Sequence, residues 1–417
     1  MSPPPALTSS IAAGVGGSQA TAIPRARPRS LRLPLDPLLT LSVLGLGVCS
    51  VLTLRVATQN LIAGDPRYYV VRQAVYLAVG GALMVAVSRL DYSRLRHMGY
   101  GIYAALIVSI LAVLGLGHSA KGAQRAIEFP LFSFQASELG KVLLILSLSA
   151  LLAARARQLR ELSTTARVLG AAALPALLVV AQPDLGSGLV YVAIAIMLLF
   201  VAGSPWRHLA ALVAIACVAA GFVLVAAPAA GVHLLKPYQT ERLTAFLHPT
   251  SNLQEIKDKE AKTGEPDPSY QQLESKVAIG AGQKTGRGES ATQTKLKFVP
   301  EDHTDFIFAA VGEQYGFVGA ALVLSLYALL IWRTLRILTT ARDTYGALVA
   351  GWVAAMLMFQ VFVNVGMAVG IMPITGVTLP LMSYGGSSVI ATLLAVGLLQ
   401  AVYVRSGAQA PRNHVSL

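Results

Sequence analysis

Pro300-Glu301-Asp302-His303-Thr304-Asp305-Phe306-Ile307-Phe308 closes the one long polar segment of this chain, and the residues from Phe306 to Trp332 that follow are almost wholly apolar. About 20 apolar residues cross the hydrocarbon of a bilayer, so this run reads as a membrane helix. Asp305 therefore stands where a polar loop enters the membrane. A carboxylate within a span is costly to desolvate, and such residues mark function. At the polar edge this one stays reachable from water.

The rest of the chain agrees. Of its 417 residues, 55% are hydrophobic and 13% charged, where a soluble domain carries about 25% charged residues. Ten apolar segments are candidate spans: Leu35–Arg55, Val70–Ser88, Met98–Gly117, Ser137–Ala154, Val168–Ala181, Gly186–Ala202, Leu209–Ala227, Asp305–Arg333, Tyr345–Gly370 and Pro380–Val404. The fifth and sixth meet at Gln182-Pro183-Asp184-Leu185-Gly186, a proline-glycine turn. The expected fold is an all-α polytopic membrane protein, with ten transmembrane helices and one large extracytoplasmic loop, 228–304, between the seventh and eighth. Residues 1–34, rich in Pro, Ser, Ala and Arg, read as a disordered tail rather than a cleavable signal. Residues 406–417 form a short second tail.

A net charge of +13 would suggest nucleic acid in a soluble protein. Here arginines gather between alternate spans, as in Arg89, Arg94 and Arg96, and in Arg155, Arg157, Arg160 and Arg167. The intervening short loops carry only Arg67, Arg72, Lys121 and Arg125. That bias puts both termini in the cytoplasm and calls for no nucleic acid. Cys49 and Cys217 both lie in apolar segments, so no disulfide framework is expected. No His/Cys cluster has zinc-site spacing. The Gly280–Gly288 run lacks the Gly-Lys-Ser/Thr ending of a phosphate loop and follows no clear strand.

Several stretches resemble one family. Lys236-Pro237-Tyr238-Gln239, the Pro300–Phe308 stretch, Pro373-Ile374-Thr375-Gly376 and Leu381-Met382-Ser383-Tyr384-Gly385-Gly386-Ser387-Ser388 are similar to the SEDS proteins of bacterial cell-wall synthesis. They resemble its RodA branch more than its FtsW branch. Gln124-Arg125, Gln135–Lys141 and Gln182–Gly186 match as well. The likeness runs from about Pro34 to Val404. Ala126 stands where the family usually has Trp, Ala136 where it has Pro, and the charged Glu255–Asp267 stretch is longer than expected.

The resemblance implies a peptidoglycan glycosyltransferase of the cytoplasmic membrane. It would polymerise lipid II, an undecaprenyl-diphosphate-linked disaccharide pentapeptide, at the outer face during cell elongation. It also implies a class B penicillin-binding protein as partner, because nothing here resembles a Ser-x-x-Lys transpeptidase nucleophile. Asp305 would be the general base, taking the proton of the attacking sugar hydroxyl. A helix N-cap is the competing reading, with Thr304 as rival for that role. On a continuous helix Asp305 would share a face with Ala309, Gly312 and Gly316, a seam of small residues.

A leaving diphosphate needs cations, and Arg125, Lys141, Lys236, Arg242 and Lys276 are the candidates. Lys141 lies three residues after Glu138 on one helix face, as a cavity pair or a packing pair. Gln293, Glu301, His303 and Thr304 complete the expected substrate contacts from the outer segment. Ser383, Gly385 and Ser387 are expected from the start of the last span, where close packing is the alternative reading. Glu313 is expected to meet a basic residue or another helix, and Asn364 to hydrogen-bond across helices. A divalent cation, magnesium or manganese, bridging the diphosphate to Glu301 or Asp302 stays open. Two other classes remain: a lipid flippase, which would string charges through its spans, and a scaffold, which leaves Asp305 without a task.

Overall fold

Helix starts in this chain are written by carboxylates. In the computed structural model Asp36 caps α1 (Pro37–Ala57), its side chain accepting from the Leu39 N–H, with Pro37 at the position that needs no donor. Asp184 caps α7 (Leu185–Val201) at Ser187, and Asp343 caps α12 (Thr344–Val369) at Gly346. Gly370, with φ 86°, ends α12 in the left-handed conformation that glycine adopts without a Cβ penalty.

The structure describes residues 35–59, 61, 65–116, 118–120, 123–129, 132–158, 160–182, 184–222, 268–295 and 303–407. The tail 1–34, the Glu255–Asp267 stretch, Lys236, Arg242, Glu301 and residues 408–417 lie outside them. The remaining helices are α2 (Tyr68–Arg89), α3 (Tyr92–His97), α4 (Gly99–Leu116), α5 (Ala136–Ala154), α6 (Leu162–Ala181), α8 (Trp206–Gly221), α9 (Pro268–Gly282), α10 (Thr292–Lys295), α11 (Ile307–Thr340) and α13 (Gly386–Gly407).

Among the described residues eight helices are long and apolar enough to cross a membrane: α1, α2, α4, α5, α6, α11, α12 and α13. The protein is a multi-pass, nearly all-helical membrane protein. The other two expected spans correspond to α7 and α8, apolar helices of 17 and 16 residues. At 1.5 Å per residue, α7 reaches about 26 Å, a little under a ~30 Å hydrocarbon layer. The apolar run of α8 continues in sequence to Ala227, beyond the described residues. α5, α12 and α13 form the buried middle, while α2 and α4 leave most of their surface outward.

Four expectations are corrected. A three-stranded antiparallel sheet joins α4 to α5, with β1 (His118–Ala120), β2 (Ala123–Phe129) and β3 (Phe132–Phe134) in that order. Its alternating residues Ile127 and Phe134 face each other across the ladder and pack on the core. α6 starts at Leu162 rather than Val168. α9 and α10 lie inside what read as a loop. Residues 380–385 form a turn, so α13 begins at Gly386 and not at Pro380.

Candidate active site around Asp305

The expected span Asp305–Arg333 is not one helix. α11 starts at Ile307, and its N-cap is Phe306, whose side chain makes no cap hydrogen bond. Neither Asp305 nor Thr304 occupies the N-cap position. The helix then breaks at Gly316, whose φ of 63° and ψ of −158° lie outside helical space. A residue with a Cβ is strained at that φ. The seam of Asp305, Ala309, Gly312 and Gly316 along a single helix is therefore replaced by two pieces meeting at a glycine.

The break is filled by residues 282–287, which follow α9. Phe317 N–H donates to the Gln283 carbonyl at 2.9 Å and Val318 N–H to Lys284 at 3.1 Å, while Arg287 N–H donates to the Glu313 carbonyl at 2.8 Å. Backbone groups freed at a break must find such partners inside protein. Gly282 and Gly286 lie against the backbone of Gly312 and Gln314, too close for any side chain. The Gly280–Gly288 run is thus a close-packing element.

Glu313, fully buried, accepts the N–H groups of Gln293 and Thr294, each at 2.8 Å, and the Thr294 hydroxyl. It meets another helix as expected and anchors α10. α9 is tied to the end of α12 by Ser275 Oγ to the Ala368 carbonyl (2.8 Å) and Gln272 Nε2 to Met372 (3.0 Å).

Asp305 sits in the turn 303–306, half-buried, and its turn is held by three neighbouring carbonyls. The His303 carbonyl accepts from Tyr384 N–H at 2.9 Å. The Thr304 carbonyl accepts from Ser383 Oγ at 2.6 Å. The Asp305 carbonyl accepts from Asn364 Nδ2 at 2.8 Å. The donors are themselves fixed. Ser383 Oγ accepts from Leu379 N–H (2.8 Å), and Ser50 of α1 holds the Met382 carbonyl (2.7 Å). Leu381 in this turn has φ 65°, a conformation that persists only where surroundings enforce it.

An aromatic and cationic rim borders the turn. Tyr69 lies 4.9 Å from Tyr384 and 5.2 Å from His303, centroid to centroid. Arg72 stacks 4.2 Å over Tyr68 and hydrogen-bonds the Tyr384 phenol. Burial first, then the neighbouring Tyr76, pushes the Tyr384 phenol up from its ordinary value, so it stays neutral. Arg72 escaped the sequence reading, which counted it only as an outer charge. Its signal was a cation near the start of a span, against the helix dipole and with no acidic residue in the first turn.

Glu138 and Lys141 do form an ion pair, 2.7 Å apart and almost fully buried. They lie beside Gln360 and Thr392 of α12 and α13. Gln360 is one helical turn from Asn364, which holds Asp305. At the head of α5, Asp184 accepts from Ser137 Oγ (2.9 Å) and Gln135 Nε2 (3.1 Å), a buried junction that the sequence read only as a turn.

The structure thus brings His303, Thr304, Asp305 and Ser383 together. Ser383 spends its hydroxyl on backbone. So does Ser387, which donates to the Ser133 carbonyl and accepts from Gln135 N–H. Both hydroxyls thus bond backbone, as the packing alternative has it. Gly385 lies in the turn before α13. Lys276 is exposed and covers Gly370 at the end of α12. Gln293 is held through its backbone by Glu313. Arg125 is on β2. Among the described residues no group of three His, Cys, Asp or Glu side chains could hold a metal.

A sequence model of the family described as "Cell cycle protein", covering FtsW, RodA and SpoVE, matches residues 35–407. This chain belongs to the SEDS family. The chain is 34% identical to Escherichia coli K12 "Peptidoglycan glycosyltransferase MrdB" over 378 residues, 89% of this chain and 94% of that one. With the Idiomarina loihiensis "Probable peptidoglycan glycosyltransferase FtsW" it shares 32% identity, covering 87% of this chain and 84% of the relative. Among SEDS-like solved structures, one from "a peptidoglycan synthase complex" superposes with a TM-score of 0.71 at 32% identity, covering 91% of this chain and all of that one. The Thermus thermophilus rod shape determining protein RodA gives 0.63 at 29% identity, covering 91% and 99%.

Proposed function

We propose that this chain is a peptidoglycan glycosyltransferase that polymerises lipid II at the outer face of the cytoplasmic membrane, with Asp305 as general base. The observation that carries the reading is the Asp305 turn. It lies at the polar end of α11, one residue before the N-cap position, and three consecutive carbonyls are fixed from the segments around Asn364 and Ser383. In the reaction the acceptor sugar hydroxyl oxygen attacks the anomeric carbon of the donor. The bond from that carbon to the diphosphate oxygen breaks with inversion, the diphosphate leaves, and the hydroxyl proton passes to the Asp305 carboxylate. A correctly placed base of this kind contributes about 10² to 10⁴ in rate. Arg72, at the same rim, is the described cation best placed for the developing negative charge.

Four finer readings go with it. The Met372-Pro373-Ile374-Thr375-Gly376 form supports the elongation role of the RodA branch. The arginine distribution supports cytoplasmic termini. The apolar α7 and α8, added to the eight longer helices, support ten spans. A class B penicillin-binding protein is the partner that supplies crosslinking. Purified full-length protein in detergent, with the partner if polymerisation needs it, is to be given lipid II. Wild type is expected to make glycan where there is no membrane to cross, and Asp305→Asn to make at least 10²-fold less while remaining folded. Near-normal polymer from folded Asp305→Asn would remove the base assignment.

A further inference from the structure

Asp305 is flanked by two peptide planes, and each is held by a different donor. The plane before it carries the Thr304 carbonyl, bound by Ser383 Oγ at 2.6 Å. The plane after it carries its own carbonyl, bound by Asn364 Nδ2 at 2.8 Å. Fixing both planes fixes both backbone angles at Asp305, and with them the direction in which its Cα–Cβ bond points. α11 does not set that direction through its regular ladder, since the Ala309 N–H goes to Phe306 at 2.9 Å. The second plane is oriented from α12.

We propose that Asn364 is a positioning residue for glycosyl transfer, holding the Asp305 peptide so that the carboxylate meets the acceptor hydroxyl. The inference rests on the reading of Asp305 as base. Asn364 is fully buried in the last two turns of α12, where packing locks its rotamer. Its Nδ2 gives one hydrogen to Asp305 and the other to the Val377 carbonyl, also at 2.8 Å. Only the amino end of the amide can serve two carbonyls, so the orientation of the group is dictated by its partners. Its Oδ1 is left buried with no hydrogen-bond partner, a costly arrangement. The side chain bears that cost while tying Asp305 to the Val377 segment. That segment runs back through Thr375, whose carbonyl packs on Gly186 beside the Asp184 cap. A helix-borne residue with both hydrogens engaged places a site more accurately than a loop does.

The test uses Asn364→Ala and the near-isosteric Asn364→Asp, which in its ionised form cannot donate. Gln400→Ala serves as control. Gln400 is a fully buried amide that holds the Asp36 N–H at 2.7 Å, joining α13 to the start of α1. Polymerisation of lipid II by the purified full chain, with its partner where needed, is followed together with the thermal unfolding midpoint. Both Asn364 variants are expected to lower kcat by about 10- to 100-fold, the effect of a displacement near 1 Å, with KM for lipid II within about twofold of wild type. Gln400→Ala is expected to lower the midpoint and leave kcat per folded molecule within about twofold. Unchanged kcat in either folded Asn364 variant would overturn the proposal, as would an equal kcat loss in Gln400→Ala. If Asp305→Asn is inactive while Asn364→Ala is fully active, positioning alone falls. If Asp305→Asn stays active, the base reading and this inference fall together.

Discussion

The carboxylates at the two ends of this helix bundle are used differently. At the end carrying Asp36, Asp91 and Asp343, each acid caps a helix and meets a further polar partner. Asp36 caps α1 and pairs with Arg333. Asp91 caps α3 and lies 3.3 Å from Arg405. Asp343 caps α12 and receives the Tyr92 hydroxyl at 3.3 Å. At the other end Asp184 and Glu313 also take backbone N–H groups, whereas Asp305 stands one residue before the N-cap position of α11, which Phe306 occupies. The backbone of Asp305 is held instead. By the function proposed above, Asp305 is the acid that serves the reaction.

The comparison can be broken at either end. The largest effect is expected at the outer rim. Arg72→Ala should lower kcat by about 10²-fold, the loss from removing one transition-state donor, with the unfolding midpoint barely moved because Arg72 is only partly buried. Measured polymer yield equal to wild type would take Arg72 out of the site.

Asp36→Ala comes next and should act on stability alone. Asp36 is fully buried while the Arg333 side chain is one-fifth exposed, and removing the buried partner of such a pair costs about 3 kcal/mol. Thermal unfolding in detergent should show that loss, while kcat per folded molecule holds. A fall in kcat would erase the distinction between the two ends. The smallest effect is expected from Asp91→Ala, because exposed pairs contribute little. Its midpoint and activity should both match wild type.

The apolar spans were legible because a membrane helix needs little more than length and hydrophobicity. The Glu138–Lys141 pair was legible because its spacing puts both on one face. The start of α11 was not. By local signals Thr304 or Asp305 should cap it, but the carbonyls of 303–305 bond to residues far along the chain, and the helix begins after them. The break at Gly316 was hidden for a related reason. A glycine in an apolar run reads as close packing, and only the carbonyls of Gln283 and Lys284 show that the helix is interrupted. α9 was missed because its sequence has no apolar stripe, being docked through Gln272 and Ser275 as much as by packing. Arg72 depends on Tyr384, a contact no local pattern announces.

The repair of the Gly316 break also sets where the outer segment tolerates change. The backbone groups that complete α11 come from Gln283, Lys284, Arg287, Gln293 and Thr294, and all of them follow Pro268. No described hydrogen bond of α11 depends on how many residues precede Pro268 in the segment. Lengthening a connection adds closure entropy only slowly, about 0.6 kcal/mol for each doubling. The charged Glu255–Asp267 stretch falls on that permissive side. From Gln283 to Thr294 the spacing is read residue by residue, and a single insertion there would shift this segment against the helix it completes.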